Sequence, residues 1–67
     1  MELDISIFGC LGDYLFSLSR ETAVFKIPKD AYIVTEINLL LKHRIFRSFQ
    51  VTYSYGDIKT YIAHFDL

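Results

Sequence analysis

A single cysteine, Cys10, occurs in the 67 residues, so no disulfide can close within the chain. One cysteine and two histidines, His43 and His64, are too few for a closed structural zinc site, and they do not stand at metal-ligand spacings. No metal and no cofactor is therefore expected. With one proline and three glycines there is neither a linker nor a low-complexity segment, and the chain reads as one compact domain over 1–67. No apolar run approaches the roughly 20 residues that a membrane-crossing helix requires. No basic segment leads into an apolar stretch with a small-residue cleavage site, as an export signal would. The expectation is a soluble, cytoplasmic protein with no membrane partner.

Charge of one sign is also lacking. Seven lysines and arginines meet eight aspartates and glutamates, for a net charge of -1, which argues against a nucleic-acid footprint spread over the whole domain. The distribution is less even than the total. Residues 1–25 hold four acids against Arg20, for -3, whereas residues 26–47 hold five bases against Asp30 and Glu36, for +3. Opposed patches of this kind suit pairing between chains.

What the chain has is apolar and aromatic residues, at 52% and 16%. A domain of this size buries only about 60% of its unfolded surface and usually needs a staple. With disulfide and metal both missing, oligomerisation is the remaining stabiliser, and a homodimer is expected.

Along the chain, "LDISIF" alternates, with Leu3, Ile5 and Ile7 on one side, and predicts a first strand. "GCLGD" (9–13) follows as a hairpin loop. "YLFSLS" (14–19) predicts the return strand, with Tyr14, Phe16 and Leu18 sharing a face. "SRET" turns the chain, and "AVFKIP" (23–28) predicts a third strand ending at Pro28, with Ala23, Phe25 and Ile27 inward and Val24 and Lys26 outward.

Asp30 stands where it could cap a helix. Ile33, Val34, Ile37, Leu40, Leu41 and Ile45 then recur at spacings of three and four and share one helix face. Lys42, His43 and Arg44 suit the carboxyl end of that helix. The β-forming "YIVT" leaves a strand at 32–37 as the alternative. "FQVTYSY" and "IKTYIAHF", joined by Gly56–Asp57, predict a final hairpin in which Tyr55 faces Ile58, Tyr53 faces Thr60, Val51 faces Ile62 and Phe49 faces His64. The predicted fold is α+β, a small antiparallel sheet with one covering helix in the order β-β-β-α-β-β; the alternative is an all-β small barrel.

Catalytic chemistry is thin. Gly9 and Gly12 lack the lysine and Ser/Thr of a phosphate cradle. Ser17 or Ser19 could be matched on paper with a histidine and an aspartate, but almost any chain allows that. Cys10 has no cation near it in sequence that would make its thiolate a strong nucleophile. No catalytic residue is assigned, and the chain is read as a non-enzyme.

Two binding classes remain. Lys42, Arg44, Arg47 and Lys59 interleave with His43, Phe46, Phe49, Tyr53 and Tyr61, the ingredients of a nucleic-acid surface in which cations meet phosphates and rings stack on bases. Protein–protein binding is the favoured reading, because tyrosine and arginine supply contact area with a polar handle. Its candidate contacts are Arg47, Tyr53, Tyr55, Lys59 and Tyr61. Arg47 leads them, since it falls after the helix and has no helix-end role. Such a chain suits a protein-interaction module, an accessory subunit or an inhibitor of a larger machine, with another protein or a second copy as partner and nucleic acid as the alternative.

Overall fold

Alternation in "AVFKIP" is used as written: strand β2 (Thr22–Pro28) buries Ala23, Phe25 and Ile27 and exposes Lys26. The computed structural model describes residues 5–67. In it β2 pairs on one side with β1 (Leu15–Leu18) and on the other with β4 (Ile58–Phe65), and β4 pairs in turn with β3 (Phe46–Tyr55). All pairings are antiparallel, and the sheet order is β1-β2-β4-β3. Helix α1 (Val34–Lys42) packs on one face. This is the expected α+β class, an antiparallel sheet with one covering helix. The sheet is not closed into a barrel, because β1 and β3 remain as edges. β2 and β3 run parallel with β4 inserted between them, so α1 is the crossover of a split β-α-β unit.

The beginning of the chain departs from expectation. Of the predicted first strand, Leu3 and Asp4 lie outside the described residues, and Ile5–Phe8 belong to a 3-10 helical segment, Ile5–Tyr14, kinked at Gly9. The predicted 9–13 hairpin loop lies inside that segment. The reason is the burial of Phe8: a strand with Ile7 facing inward would turn this ring outward. Instead Phe8 and Leu11, three apart, are both fully buried, and Ile7 is 39% exposed. Gly9 permits the kink, since φ 59° with ψ -134° is backbone that side-chain-bearing residues avoid.

Phe8 centres an aromatic core. Its ring centroid lies 5.6 Å from Phe25, edge-on, 5.6 Å from Phe46 and 6.5 Å from Phe65. Ile33 and Leu40 close the core from the helix side. Each such side chain, fully buried, contributes about 1.5–3 kcal/mol, so much of the aromatic content is accounted for internally.

The helix reading of 32–37 prevails from Val34 onward, but Asp30 is not its cap. The helix starts after Ile33, which makes no side-chain capping bond, and Lys29–Asp30 form a turn in which the Ala31 amide donates to the Pro28 carbonyl at 3.1 Å. The helix ends in a Schellman motif: the Arg44 amide donates to Leu41 O at 3.2 Å and the Ile45 amide to Leu40 O at 3.0 Å. Arg44 occupies the left-handed position, φ 60°, where glycine is usual. The "SRET" turn forms as expected: the Ser19 amide donates to Thr22 O at 2.8 Å, and the Thr22 amide to Ser19 Oγ at 3.2 Å.

Three irregularities decide which side chains face where. In β1 the register steps between Leu15, opposite Phe25, and Ser17, opposite Val24. Phe16 is therefore the extra residue, and the expected Tyr14–Phe16–Leu18 face is not formed. In β3 the hairpin register is as expected at Tyr55–Ile58 and Tyr53–Thr60. It then slips at Thr52, so that Val51 meets Tyr61 and Phe49 meets Ala63. A second bulge at Arg47 sets Phe46 opposite Phe65 and Ser48 opposite His64. Phe46, Phe49 and Val51 thereby share the helix-covered face, while Tyr53 and Tyr55 go to the other.

Candidate functional site

Below the helix-covered layer, the sheet presents a second face with no element of its own packed on it among the described residues. Register assigns to this face Val24 and Lys26 of β2, Tyr53 and Tyr55 of β3, and Ile58, Thr60 and Ile62 of β4. Tyr53 is 60% exposed, Tyr55 76% and Ile58 40%, unusual values for large apolar side chains in strands. Lys26, Tyr53, Tyr55, Ile58 and Thr60 line a shallow groove of about 310 Å³.

Lys26 is the one formal charge that register places on β2 and β4 of this face. Its ammonium is carried sideways toward edge strand β1, where Nζ sits 4.0 Å from the centroid of the Phe16 ring. That cation–π contact draws the charge toward β1, away from Tyr53, Tyr55 and Ile58. Phe16 itself is 63% exposed.

Of the residues singled out from sequence, Tyr53 and Tyr55 are brought together here. Tyr61 lies on the opposite face, half-buried and stacked on Phe49 with centroids 5.1 Å apart. Lys59 shares that face by register, opposite Ile27 and Ser54, and is exposed. Arg47 is exposed at its bulge near the far end of the sheet, where it lines a depression of about 170 Å³ with Glu21, His64, Phe65 and Leu67. Phe16, Lys26 and Ile58 are the members that sequence reasoning did not select. Lys26 was read as outward-facing, but nothing in the order of residues announced the bulge that sets Phe16 beside it.

The basic and aromatic interleaving separates in three dimensions. Phe46 is 1% exposed and Phe49 packs against the core, so neither ring is free to stack on a base. Lys42, His43 and Arg44 are exposed at the end of α1. Cys10 is exposed and His64 half-buried opposite Ser48 and Thr22. Among the described residues no group of three or more His, Cys, Asp or Glu converges as a metal site, and no helix is long and apolar enough to cross a membrane. The one ion pair among them, Lys29 Nζ to Asp57 Oδ1 at 3.2 Å, is largely exposed and contributes no more than about 1 kcal/mol.

No family model matches the chain, and neither a curated protein nor a solved structure is similar to it.

Proposed function

We propose that this chain is a small non-enzymatic protein-interaction module that pairs with a second copy of itself through the open face of its sheet. The observation that carries the reading is the uncovered patch of Tyr53, Tyr55 and Ile58, continued on β1 by Phe16, with the Lys26 ammonium held between the two against the Phe16 ring. Two copies of a sheet can join at edges or at faces. Edge joining is disfavoured: β1 has only four residues, and β3 carries two bulges that bend its free edge. Face joining suits the area present. Fully burying an aromatic side chain removes about 150–250 Å², so the exposed fractions of Phe16, Tyr53 and Tyr55 offer roughly 400 Å² per copy. With Ile58 and the polar border, two copies reach about 1,000 Å², where specific interfaces begin. A weak dimer, in the micromolar range, is expected.

A module that occupies a surface rather than transforming a substrate suits an accessory or inhibitory role beside a larger protein. A reducing, cytoplasmic setting fits the exposed, unpaired Cys10. Sedimentation equilibrium from 1 to about 500 µM tests the pairing. The native chain should approach twice its mass, and the double variant Tyr53→Ala, Tyr55→Ala should remain at one chain with an unchanged far-UV spectrum. A single-chain mass for the native protein throughout that range overturns the reading. Salt-sensitive polarisation of a labelled single-stranded RNA, lost in the same variant, would replace it with the nucleic-acid alternative.

A further inference from the structure

Opposite the open face, between the N-terminal helical segment and α1, lies a cleft of about 310 Å³. Ile7, Phe8, Leu39, Leu40 and Ile45 make most of its wall apolar, Ser6 and His43 add polar groups, and Glu36 enters the lining from the first turn of α1. Oε2 of Glu36 is buried from solvent and has no hydrogen-bond partner among the described residues. A carboxylate oxygen in that condition is costly, because it has given up water without gaining a donor. Gly9, whose φ of 59° favours glycine, packs beside the Glu36 side chain: a Cβ there would stand at ordinary contact distance, 3.5 Å, from Glu36 Cγ.

We propose that this cleft is a binding site for a small apolar amine, a primary ammonium on a short hydrocarbon body. The ammonium supplies what Glu36 lacks, a charged donor for a charged acceptor, and such bonds are about twice as strong as neutral ones. The terminal carboxylate torsion of glutamate is broad, so Oε2 can turn toward the cleft, and it loses no hydrogen bond in doing so. The hydrocarbon body then lies against Leu39, Leu40 and Ile45, in a volume at the lower end of small-molecule sites. A neutral ligand of the same shape would gain the apolar contacts alone and leave the acceptor poorly satisfied. A metal ion is a poor fit, since His43 is the only other candidate ligand in the lining and no group of three or more His, Cys, Asp or Glu converges among the described residues.

The test is a titration of ¹⁵N-labelled protein with n-hexylammonium chloride, alongside n-hexanol as the uncharged analogue of equal length. Saturable shifts centred on the Gly9, Glu36, Leu40 and His43 amides are expected, with hexanol at least tenfold weaker. Glu36→Gln, which keeps shape and removes charge, should weaken hexylammonium tenfold or more and leave hexanol unchanged. Leu39→Lys is the second variant, at a position 48% exposed on the cleft wall. Its own ammonium should compete for Glu36 and abolish hexylammonium binding, so the proposal stays testable if Glu36→Gln fails to fold. Equal affinity for hexanol and hexylammonium, unchanged hexylammonium binding in both variants, or no saturable shift of the native protein up to 20 mM would overturn the assignment.

Discussion

Thr52 Oγ1 donates to the Thr60 carbonyl at 3.3 Å across the final hairpin, at the point where Thr52 itself has no partner in the β3–β4 register. The extra residue exchanges the two faces of the strand. On one side of it Tyr53 and Tyr55 point to the open face, and on the other Val51 and Phe49 point to the helix.

Deleting Thr52 should therefore be tolerated. Val51 and Tyr53 already face consecutive residues of β4, Tyr61 and Thr60, so without the extra residue a regular ladder keeps Phe49 inward and Tyr53 outward, at a cost of no more than about 1 kcal/mol. Thr52→Val keeps the residue count and removes only an exposed hydrogen bond, again for no more than about 1 kcal/mol. Urea titration of both variants, followed by circular dichroism, checks this; an unfolded deletion variant would show that the bulge itself is required.

Phe8 and Ile7 separate the helical reading of the first segment from the strand that alternation suggested. Phe8→Ala removes a fully buried ring among Phe25, Phe46 and Phe65 and should cost about 3–5 kcal/mol. A chain this short has roughly 3–10 kcal/mol in total, so the variant should be largely unfolded at 37 °C. Ile7→Ala, at a half-exposed position, should cost less than about 1 kcal/mol. The opposite order of melting temperatures would favour the strand.

Arg44 holds the left-handed residue of the Schellman motif at a conformational cost that glycine does not meet. Arg44→Gly should stabilise the fold by about 0.5–1 kcal/mol once glycine's larger unfolded-state entropy is deducted. The change should appear as a higher urea midpoint with an unchanged slope.

Lys26 should limit the pairing of open faces, because association draws a charge toward an apolar layer. Lys26→Met should tighten the dimer severalfold by sedimentation equilibrium, whereas Arg47→Ala, at a bulge near the other end of the sheet, should change neither its affinity nor chain stability by more than about 0.5 kcal/mol.

How far the residues announce this arrangement depends on whether a rule of period two or 3.6 runs unbroken. It does in "AVFKIP", in the spirals of Ile33, Ile37, Leu40 and Leu41, and at the hairpin tip, and there the inward residues were readable. It fails at Phe16, Arg47 and Thr52, where one additional residue changes the face without any signal of its own. Tyr53 and Tyr55 share a face as alternation predicts because both lie on the tip side of the last bulge. Tyr61 and Lys59 stand on the opposite face of the hairpin, as alternation along β4 also predicts. Phe8 was missed for another reason: five alternating residues give a strong local pattern, and burial of one large ring among three others outweighs it.

β4 is both the last strand in the chain and an inner strand of the sheet, hydrogen-bonded to β2 and β3 alike. During synthesis, β1, β2, α1 and β3 are complete before β2 has its second neighbour and β3 its only one. Thr22 must wait for His64, across more than forty intervening residues, and the slow step of folding is the closure of that distance. Until then the ribosome holds a chain with an open strand edge and a phenylalanine cluster missing Phe65. The interval between translating Pro28 and translating Phe65 is thus when aggregation competes most strongly with folding.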